Sequence, residues 1–175
     1  MVQVSRMFLA VLLLLVPAAA SAQQSIIIVR HAERQIGEGD DSLSDAGRQR
    51  AERLALMLRD AGITHVFVSD LRRTLETAQP LAKIRNLSPT RMAIPAQGRG
   101  KITASELQVR ATMVAISKLP RTAVVLVVGH SNTVPMFLTR LGYGPSLRIP
   151  DTEFDNLFVV TPRATRAPSV IRLRF

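Results

Sequence analysis

The sequence predicts an α/β fold in three α/β/α layers, with a mostly parallel central sheet covered by helices on both faces. Short runs of β-branched apolar residues alternate with helical stretches along the chain, and strands separated in this way usually pair in parallel and are buried on both faces. Three of these runs end directly in basic or polar residues. In sheets of this kind, ligands bind just beyond the carboxyl ends of the strands.

The predicted segments follow one another in a regular order. They are strand 25–29, loop 35–43, helix 44–61, strand 63–68, helix 70–85, irregular segment 86–101, helix 103–119, strand 123–128, helix 132–141, and strands 157–160 and 170–174.

Local sequence signals support the elements of the first half. The first strand is the run SIIIV, and the loop after it is rich in Gly and Asp. The first helix has Ser44 as a suitable N-cap, apolar residues at helical spacing, and Gly62 as a C-terminal stop. ITHVFV is the second strand. The second helix has an apolar face, but Pro80 lies inside it and is expected to kink or shorten it.

The second half is less regular at first. Residues 86–101 are basic and contain Pro and Gly, which indicates an irregular segment, and the helix after it has a weaker pattern. AVVLVV is the most strand-like run in the chain. A short helix and two late strands follow, and residues 170–174 alternate apolar and basic side chains as an edge strand does.

The N-terminal segment predicts a signal peptide. Arg6 precedes the apolar run MFLAVLLLLV, Pro17 follows that run, and small residues end in Ala22. The alternative is an uncleaved membrane anchor, but the apolar stretch is shorter than the roughly 20 residues that span a bilayer. We therefore expect cleavage after Ala22 and a periplasmic or secreted protein. Residues 23–175 would form a single domain with no stable membrane insertion.

Composition restricts the partners and the chemistry. The chain carries 23 Lys and Arg against 13 Asp and Glu, a formal net charge of +10, which favours a small anionic, phosphorylated substrate or serves general solubility. Aromatic residues make up 4% and tryptophan is absent; with few stacking platforms, no nucleic-acid partner is expected. The absence of cysteine excludes thiol chemistry, cysteine metal sites and anchoring through a lipidated cysteine.

Basic and histidine residues follow three of the predicted strands. The first strand runs into Arg30-His31, the second into SDLRR at 69–73, and the AVVLVV strand into GHSN at 129–132. His31 and His130 are two of only three histidines. His65 lies near the start of its strand, at the opposite edge of the sheet, and is expected to be structural or exposed. The coincidence at the carboxyl edge predicts a functional site.

The residue types at this edge suit phosphoryl transfer. A neutral imidazole is a nucleophile that can attack phosphorus and carry the phosphoryl group as phosphohistidine. Guanidinium groups stay charged and donate two hydrogen bonds at once, so they suit the phosphoryl oxygens. A second histidine, if protonated, adds another donor. Such a pocket requires no metal and no cofactor.

Three motifs in this order resemble the histidine phosphatase superfamily, also called phosphoglycerate mutase-like. VRHAER is similar to the family's Arg-His-Gly/Ala signature, VSDLRRTLETAQPLA to its second motif, and VVGHSNTVP to its second-histidine motif. The resemblance spans about residues 25–160 and is greatest to small exported members. It implies the phosphoglycerate mutase-like form of the α/β/α fold.

The resemblance also implies roles for individual residues. His31 would be the nucleophile that becomes phosphorylated, Arg30 and Arg73 would bind the phosphoryl oxygens, and His130 would donate to the same group. Arg73 falls at the motif position, and Arg72, about 100° away on a helix, would point elsewhere.

The start of the following helix offers two further candidates for the substrate. Ser131 and Asn132 lie where free backbone N–H groups favour anions, so both are predicted to contact substrate. Ser131 could equally be only an N-cap.

One feature of the family is absent from the expected places. Most family phosphatases have a carboxylic acid that protonates the leaving group, but no Asp or Glu occurs between Ala78 and Ser105, and Ser131 follows the second histidine. Glu106 is the first carboxylate after the gap and the candidate acid; the alternative is a surface helix residue. Its rivals are Asp40, Asp41, Asp151, Glu153 and Asp155. Without an acid, the enzyme would favour good leaving groups such as phosphohistidine or acyl phosphates.

The sequence therefore predicts a metal-independent phosphatase that acts on a phosphomonoester, or on a phosphohistidine or acyl phosphate, through phospho-His31. Asp40 and Asp41 suggest a solvated turn rather than a metal site. The alternatives are a non-catalytic module that binds phosphate or the cell envelope and, less favoured, a phosphomutase. A phosphosugar or phospholipid of the cell envelope fits the charge and the predicted compartment.

Overall fold

A six-stranded sheet organises the molecule, and the computed structural model describes residues 24–37, 39–163 and 166–175. The strands lie in the order β3-β2-β4-β1-β5-β6. Their bounds are β1 Ser25–Arg30, β2 His65–Ser69, β3 Thr90–Met92, β4 Val124–Gly129, β5 Asn156–Thr161 and β6 Ser169–Arg174. The pairings β2–β3, β2–β4 and β1–β4 are parallel, whereas β1–β5 and β5–β6 are antiparallel. The predicted mostly parallel α/β fold is confirmed.

Four helices cover the sheet, two on each face. They are α1 Asp45–Leu58, α2 Arg72–Ile84, α3 Ala104–Ser117 and α4 Thr133–Arg140. Apolar residues of α1 and α2 share one buried cluster with Ile27 and Val29 of β1, and apolar residues of α3 and α4 share the other with Ile26 and Ile28. Successive strand residues point to opposite faces, so the apolar run of β1 is buried between both helix layers.

The helix starts follow from local capping. Ser44 accepts a hydrogen bond from the backbone N–H of Gly47 at 3.1 Å and caps α1, as its sequence predicts. Thr103 caps α3 through a reciprocal box with Glu106. Pro80 lies within α2, which nevertheless continues to Ile84.

The segment 86–101 differs from its prediction. It was expected to be irregular, but Thr90–Met92 forms the edge strand β3, paired in parallel with β2. These three residues lack an apolar run, and their pairing depends on the free edge of β2 rather than on their own propensity. The opposite edge is β6, as the alternation of apolar and basic residues predicted.

The antiparallel direction of β5 decides which loop joins the candidate site. The carboxyl ends of β2, β4 and β1 lie side by side at one edge of the sheet. Because β5 runs against β1, its amino end lies at that same edge, and residues 150–155 come with it. The segment before β5 therefore joins the carboxyl ends of these parallel strands at one edge.

The predicted signal peptide, residues 1–22, lies outside the described residues. Among the helices of the described part of the chain, none is long and apolar enough to span a membrane.

Candidate active site

The two motif histidines lie side by side at the carboxyl edge of the sheet. Their ring centroids are 5.3 Å apart in an edge-to-face arrangement, and the residues are only 5% and 9% exposed. The backbone N–H of His31 donates to the carbonyl of Gly129 at 2.9 Å, which joins the end of β1 to the end of β4. The sheet pairing therefore brings His31 and His130 into one pocket.

The ring of His31 is held in one tautomer. Its Nδ1 lies 2.7 Å from the carbonyl oxygen of Ala32. A carbonyl only accepts, so Nδ1 carries the proton and Nε2 keeps a free lone pair. The Ala32 N–H in turn donates to Thr77 Oγ1 at 2.9 Å, which fixes this turn against α2. The arrangement leaves Nε2 available as a nucleophile.

His130 is oriented by a hydroxyl whose role the sequence did not reveal. Its Nε2 lies 3.1 Å from Ser69 Oγ. That hydroxyl also accepts the Leu71 N–H at 3.2 Å and lies 2.9 Å from Thr74 Oγ1. Ser69 is the residue at which β2 ends, beside β4, and this position is the signal from which its contact with His130 could have been inferred.

Arg30 is buried and held by the segment that precedes β5. One terminal nitrogen, Nη1, lies 2.9 Å from each of three backbone oxygens, those of Pro150, Asp151 and Glu153. The ring of Phe154 lies 4.0 Å from the guanidinium carbon. Its Nε is buried and has no hydrogen-bond partner among the described residues. Arg30 therefore has a fixed position with donor capacity left over.

Arg73 lines the same cleft, and Arg72 does not. The Nε of Arg73 is likewise buried without a partner within the described chain. The Arg72 side chain is exposed and points to Glu76 at 3.4 Å, one turn along α2. Buried donors without partners are costly, and an anion in the cleft would satisfy both free Nε groups. This separation of the two arginines agrees with the geometry inferred from the motif.

Burial dominates the electrostatics of the pocket. It lowers the pKa of His31 to about 3, with smaller lowering effects of His130 and the arginines and an opposing effect of the Ala32 hydrogen bond. Burial and then Arg73 and Arg30 lower the pKa of His130 to about 4. Burial also lowers the pKa of Arg30 and of Arg73, but guanidinium groups stay charged at ordinary pH. At ordinary pH the pocket thus combines two neutral imidazoles with two cations.

The cleft has a volume of about 800 Å³. Its walls combine the basic pocket with apolar residues nearer the surface. The lining residues are Arg30, His31, Glu33, Arg34, Ile36, Gly37, Gly39, Leu71, Arg73, Ile94, Ser105, His130, Ser131, Asn132, Asp151 and Phe154.

Ser131 and Asn132 both line the cleft. Their contact with a substrate stays a prediction. The N-cap of α4 is Asn132, so the alternative role of Ser131 as the N-cap does not hold. Instead the Ser131 hydroxyl donates to Asp151 Oδ1 at 3.2 Å, and the Asn132 side chain donates to Ser105 Oγ at 3.0 Å.

Most candidate acids have structural contacts. Glu106 does not line the cleft; its carboxylate accepts the Thr103 N–H at 3.0 Å in the capping box of α3. That contact favours the surface-helix alternative, and the acid role of Glu106 stays a prediction. Glu153 and Asp155 pair with Arg174.

The two carboxylates of the loop 35–43 are also engaged. Asp40 accepts the backbone N–H of Arg72 at 2.6 Å, at the start of α2, and Asp41 pairs with Arg34. Within the described ranges, no group of three or more His, Cys, Asp or Glu side chains is placed to hold a metal ion.

Because burial keeps His31 and His130 neutral, we expect the free energy of unfolding to fall in mild acid. In the unfolded chain they take up protons near pH 6.5, whereas in the fold they stay neutral to about pH 4 for His130 and about pH 3 for His31. The free energy of unfolding is therefore unaffected by these two groups above pH 6.5. Below that pH it falls by roughly 1.4 kcal/mol per pH unit for each histidine, until the pKa of that histidine in the folded protein is reached. Urea unfolding at about pH 7 and about pH 5 measures the loss. His130→Gln should show a smaller loss, and an unchanged pH dependence in this variant would contradict the assignment.

Part of the chain is similar in sequence to known proteins. Residues 26–94, which contain the first two motifs, match the family model of the histidine phosphatase superfamily (branch 1). Phosphoglycerate mutase-like protein 4 of Arabidopsis thaliana is 49% identical over 65 residues, which are 33% of this chain and 28% of that protein. The chain therefore matches less than a third of the length of this curated relative.

Solved structures extend the similarity to most of the fold. The alpha-ribazole phosphatase from Shigella flexneri superimposes with a TM-score of 0.65 and 16% identity, covering 86% of this chain and 96% of that one. The protein histidine phosphatase SixA, complexed with tungstate, gives a TM-score of 0.63 and 18% identity, covering 86% and 96%. At these identities the likeness concerns the fold.

Fold and site define an α/β protein with a basic pocket, containing two histidines, at the carboxyl edge of its sheet. Residues 26–94 are similar in sequence to the histidine phosphatase superfamily, and most of the chain is similar in fold to a protein histidine phosphatase.

Proposed function

We propose that this protein is a metal-independent phosphatase that hydrolyses a small phosphorylated substrate through a phosphohistidine at His31. The observation that carries the proposal is the fixed tautomer of His31, whose Nε2 is left available in a cleft with two buried arginines. The Nε of each arginine has no partner among the described residues. The names of the similar structures, an alpha-ribazole phosphatase and a protein histidine phosphatase, support the same class of reaction.

Each pocket residue has a defined part in the proposed reaction. Nε2 of His31 attacks phosphorus and takes the phosphoryl group from the ester, and a water molecule then takes it from His31. Arg30 and Arg73 donate to the equatorial oxygens, where negative charge spreads in the transition state. The lowered pKa of His130 keeps it neutral at ordinary pH, and a bound phosphoryl dianion favours its protonated form, which is a further donor.

The proposed substrate is small, anionic and phosphorylated. We further propose that the protein is exported to the periplasm or secreted, on the basis of residues 1–22 alone. A phosphosugar or phospholipid of the cell envelope would then be accessible to it. Ile36, Leu71 and Ile94 give the outer cleft an apolar character that suits a substrate with an apolar part.

The test is hydrolysis of p-nitrophenyl phosphate by the purified protein in EDTA, between about pH 4 and pH 8. We expect release of p-nitrophenolate with the metal chelated, together with a phosphorylated histidine trapped by rapid quenching. Activity that EDTA abolishes would contradict the proposal. Phosphate binding without turnover would instead support the alternative of a binding module.

A phosphomutase is the second candidate, since the curated relative carries the name phosphoglycerate mutase-like. Incubation with phosphoglycerates separates the two activities. A mutase would move the phosphoryl group between hydroxyls, whereas the proposed phosphatase releases inorganic phosphate.

A further inference from the structure

The leaving group also needs a proton, and the proposed parts of the pocket histidines and arginines, which act on phosphorus and its equatorial oxygens, do not supply one. The alkoxide of an ordinary phosphomonoester is a poor leaving group, and a positioned acid accelerates its departure by roughly 10²–10⁴-fold. Among the described residues, the carboxylates that line the cleft are Glu33 and Asp151.

Glu33 is not available as an acid. Its two carboxylate oxygens accept three hydrogen bonds from Arg50, at 2.7 to 3.0 Å. Burial opposes ionisation, but these hydrogen bonds hold the pKa of Glu33 below its usual value. The carboxylate therefore stays ionised and tied to α1.

The carboxylate of Asp151, unlike that of Glu33, is exposed to solvent. Its side chain is 92% exposed, and Oδ1 lies 3.8 Å from Nη2 of Arg30 and 3.2 Å from the Ser131 hydroxyl that donates to it. Its backbone oxygen accepts from Nη1 of the same arginine at 2.9 Å. The carboxylate is thus held beside the phosphate-binding guanidinium but remains accessible to solvent.

The in-line geometry of phosphoryl transfer places the leaving group near Asp151. The leaving oxygen lies opposite the attacking nitrogen. Nε2 of His31 belongs to a residue at the buried base of the cleft, so the leaving oxygen faces the open side, where Asp151 lies.

We propose that Asp151 is the general acid that protonates the leaving oxygen, an inference that rests on the proposed phosphatase activity. In the first step, Nε2 of His31 bonds to phosphorus, the bond from phosphorus to the leaving oxygen breaks, and the Asp151 proton passes to that oxygen. In the second, a water oxygen bonds to phosphorus, the electron pair of the N–P bond returns to Nε2, and the water proton passes to the Asp151 carboxylate. The acid is then regenerated.

The dependence on the leaving group tests this role. Asp151→Asn is assayed in the full chain with p-nitrophenyl phosphate, whose phenolate departs without a proton, and with glycerol 2-phosphate, whose alkoxide does not. We expect kcat to fall roughly 10²-fold or more on glycerol 2-phosphate and only a few-fold on p-nitrophenyl phosphate. The side chain is exposed and the replacement isosteric, so folding should not change.

Two matched variants serve as controls. Asp155→Asn removes a carboxylate of the same segment that pairs with Arg174 outside the cleft, and Glu106→Gln removes the candidate acid inferred from chain order. Neither should change the ratio of the two activities. If Glu106→Gln changed the ratio and Asp151→Asn did not, the acid would be Glu106 and the inference would be wrong.

The remaining outcomes are distinct. Equal losses on both esters in Asp151→Asn would mean that Asp151 only supports Arg30, and no loss on either would remove it from the reaction; both overturn the inference. A wild-type protein that hydrolyses p-nitrophenyl phosphate but not glycerol 2-phosphate overturns it too, while the proposed phosphatase activity stands. Absence of turnover on both esters would overturn that activity and the inference with it.

Discussion

Replacement of His31 by alanine is expected to lower kcat by roughly 10⁴-fold or more on every ester that the wild-type protein hydrolyses. The variant lacks the nitrogen that would bond to phosphorus, and no other imidazole is held in the same tautomer at that position. Steady-state assays with p-nitrophenyl phosphate give the loss directly. Rapid quenching should show no phosphorylated histidine in the variant.

His65→Ala is the matched control for this loss. His65 is the first residue of β2, and its ring contacts the Thr64 hydroxyl at 2.9 Å near the opposite end of the strand from the cleft. Its removal should leave kcat within about two-fold, as for surface substitutions away from a site. Substantial turnover in His31→Ala, with an intact fold, would show that the phosphohistidine assignment is wrong.

Replacement of Arg73 by alanine should lower kcat/KM by roughly 10²–10³-fold, in the range seen when one donor to a developing negative charge is lost. Arg72→Ala is an unusually close control, because the two arginines are adjacent in sequence and differ mainly in direction. Arg72 is exposed and pairs with Glu76, and its loss should change kcat/KM less than two-fold. Equal effects of the two substitutions would mean that the neighbouring charge, not the contact, matters.

The thermal stability of Arg73→Ala gives a second test of the environment of Arg73. The guanidinium of Arg73 is desolvated, and its Nε is unpartnered within the described chain. Its removal therefore relieves a cost in the ligand-free protein, and the Tm of Arg73→Ala should be unchanged or higher than that of the wild type. A lower Tm would indicate that Arg73 stabilises the fold as well as the anion.

Much of the fold was predictable because the signals for its strands and helices, apolar runs and N-caps, lie within the segments themselves. β1 and β4 have apolar runs of four and five residues, and their pairing places His31 and His130 together with no further information. α1 begins after the predicted N-cap. By contrast, β3 is three residues long and is stabilised by the unpaired edge of β2, so its own sequence carries almost no signal.

The limits of the site prediction have a similar cause. The residues immediately after the parallel strands were identified from sequence, because every such residue must lie at one edge. Asp151 and Phe154 precede a strand, and they reach the site only because β5 is antiparallel to β1. Strand direction depends on tertiary packing, so chain order made Glu106 the first choice although α3 uses it as a capping residue.

The three hydrogen bonds between Arg30 and main-chain oxygens affect how this pocket can change in evolution. Arg30 holds the segment 150–153 through three main-chain oxygens, and a main-chain oxygen is present whatever amino acid occupies the position. Side chains at 151 and 153 can therefore be exchanged without loss of these hydrogen bonds. Arg30 therefore keeps its position when side chains of this loop change, which makes position 153, close to the proposed acid Asp151, a suitable place for directed evolution of substrate preference to begin.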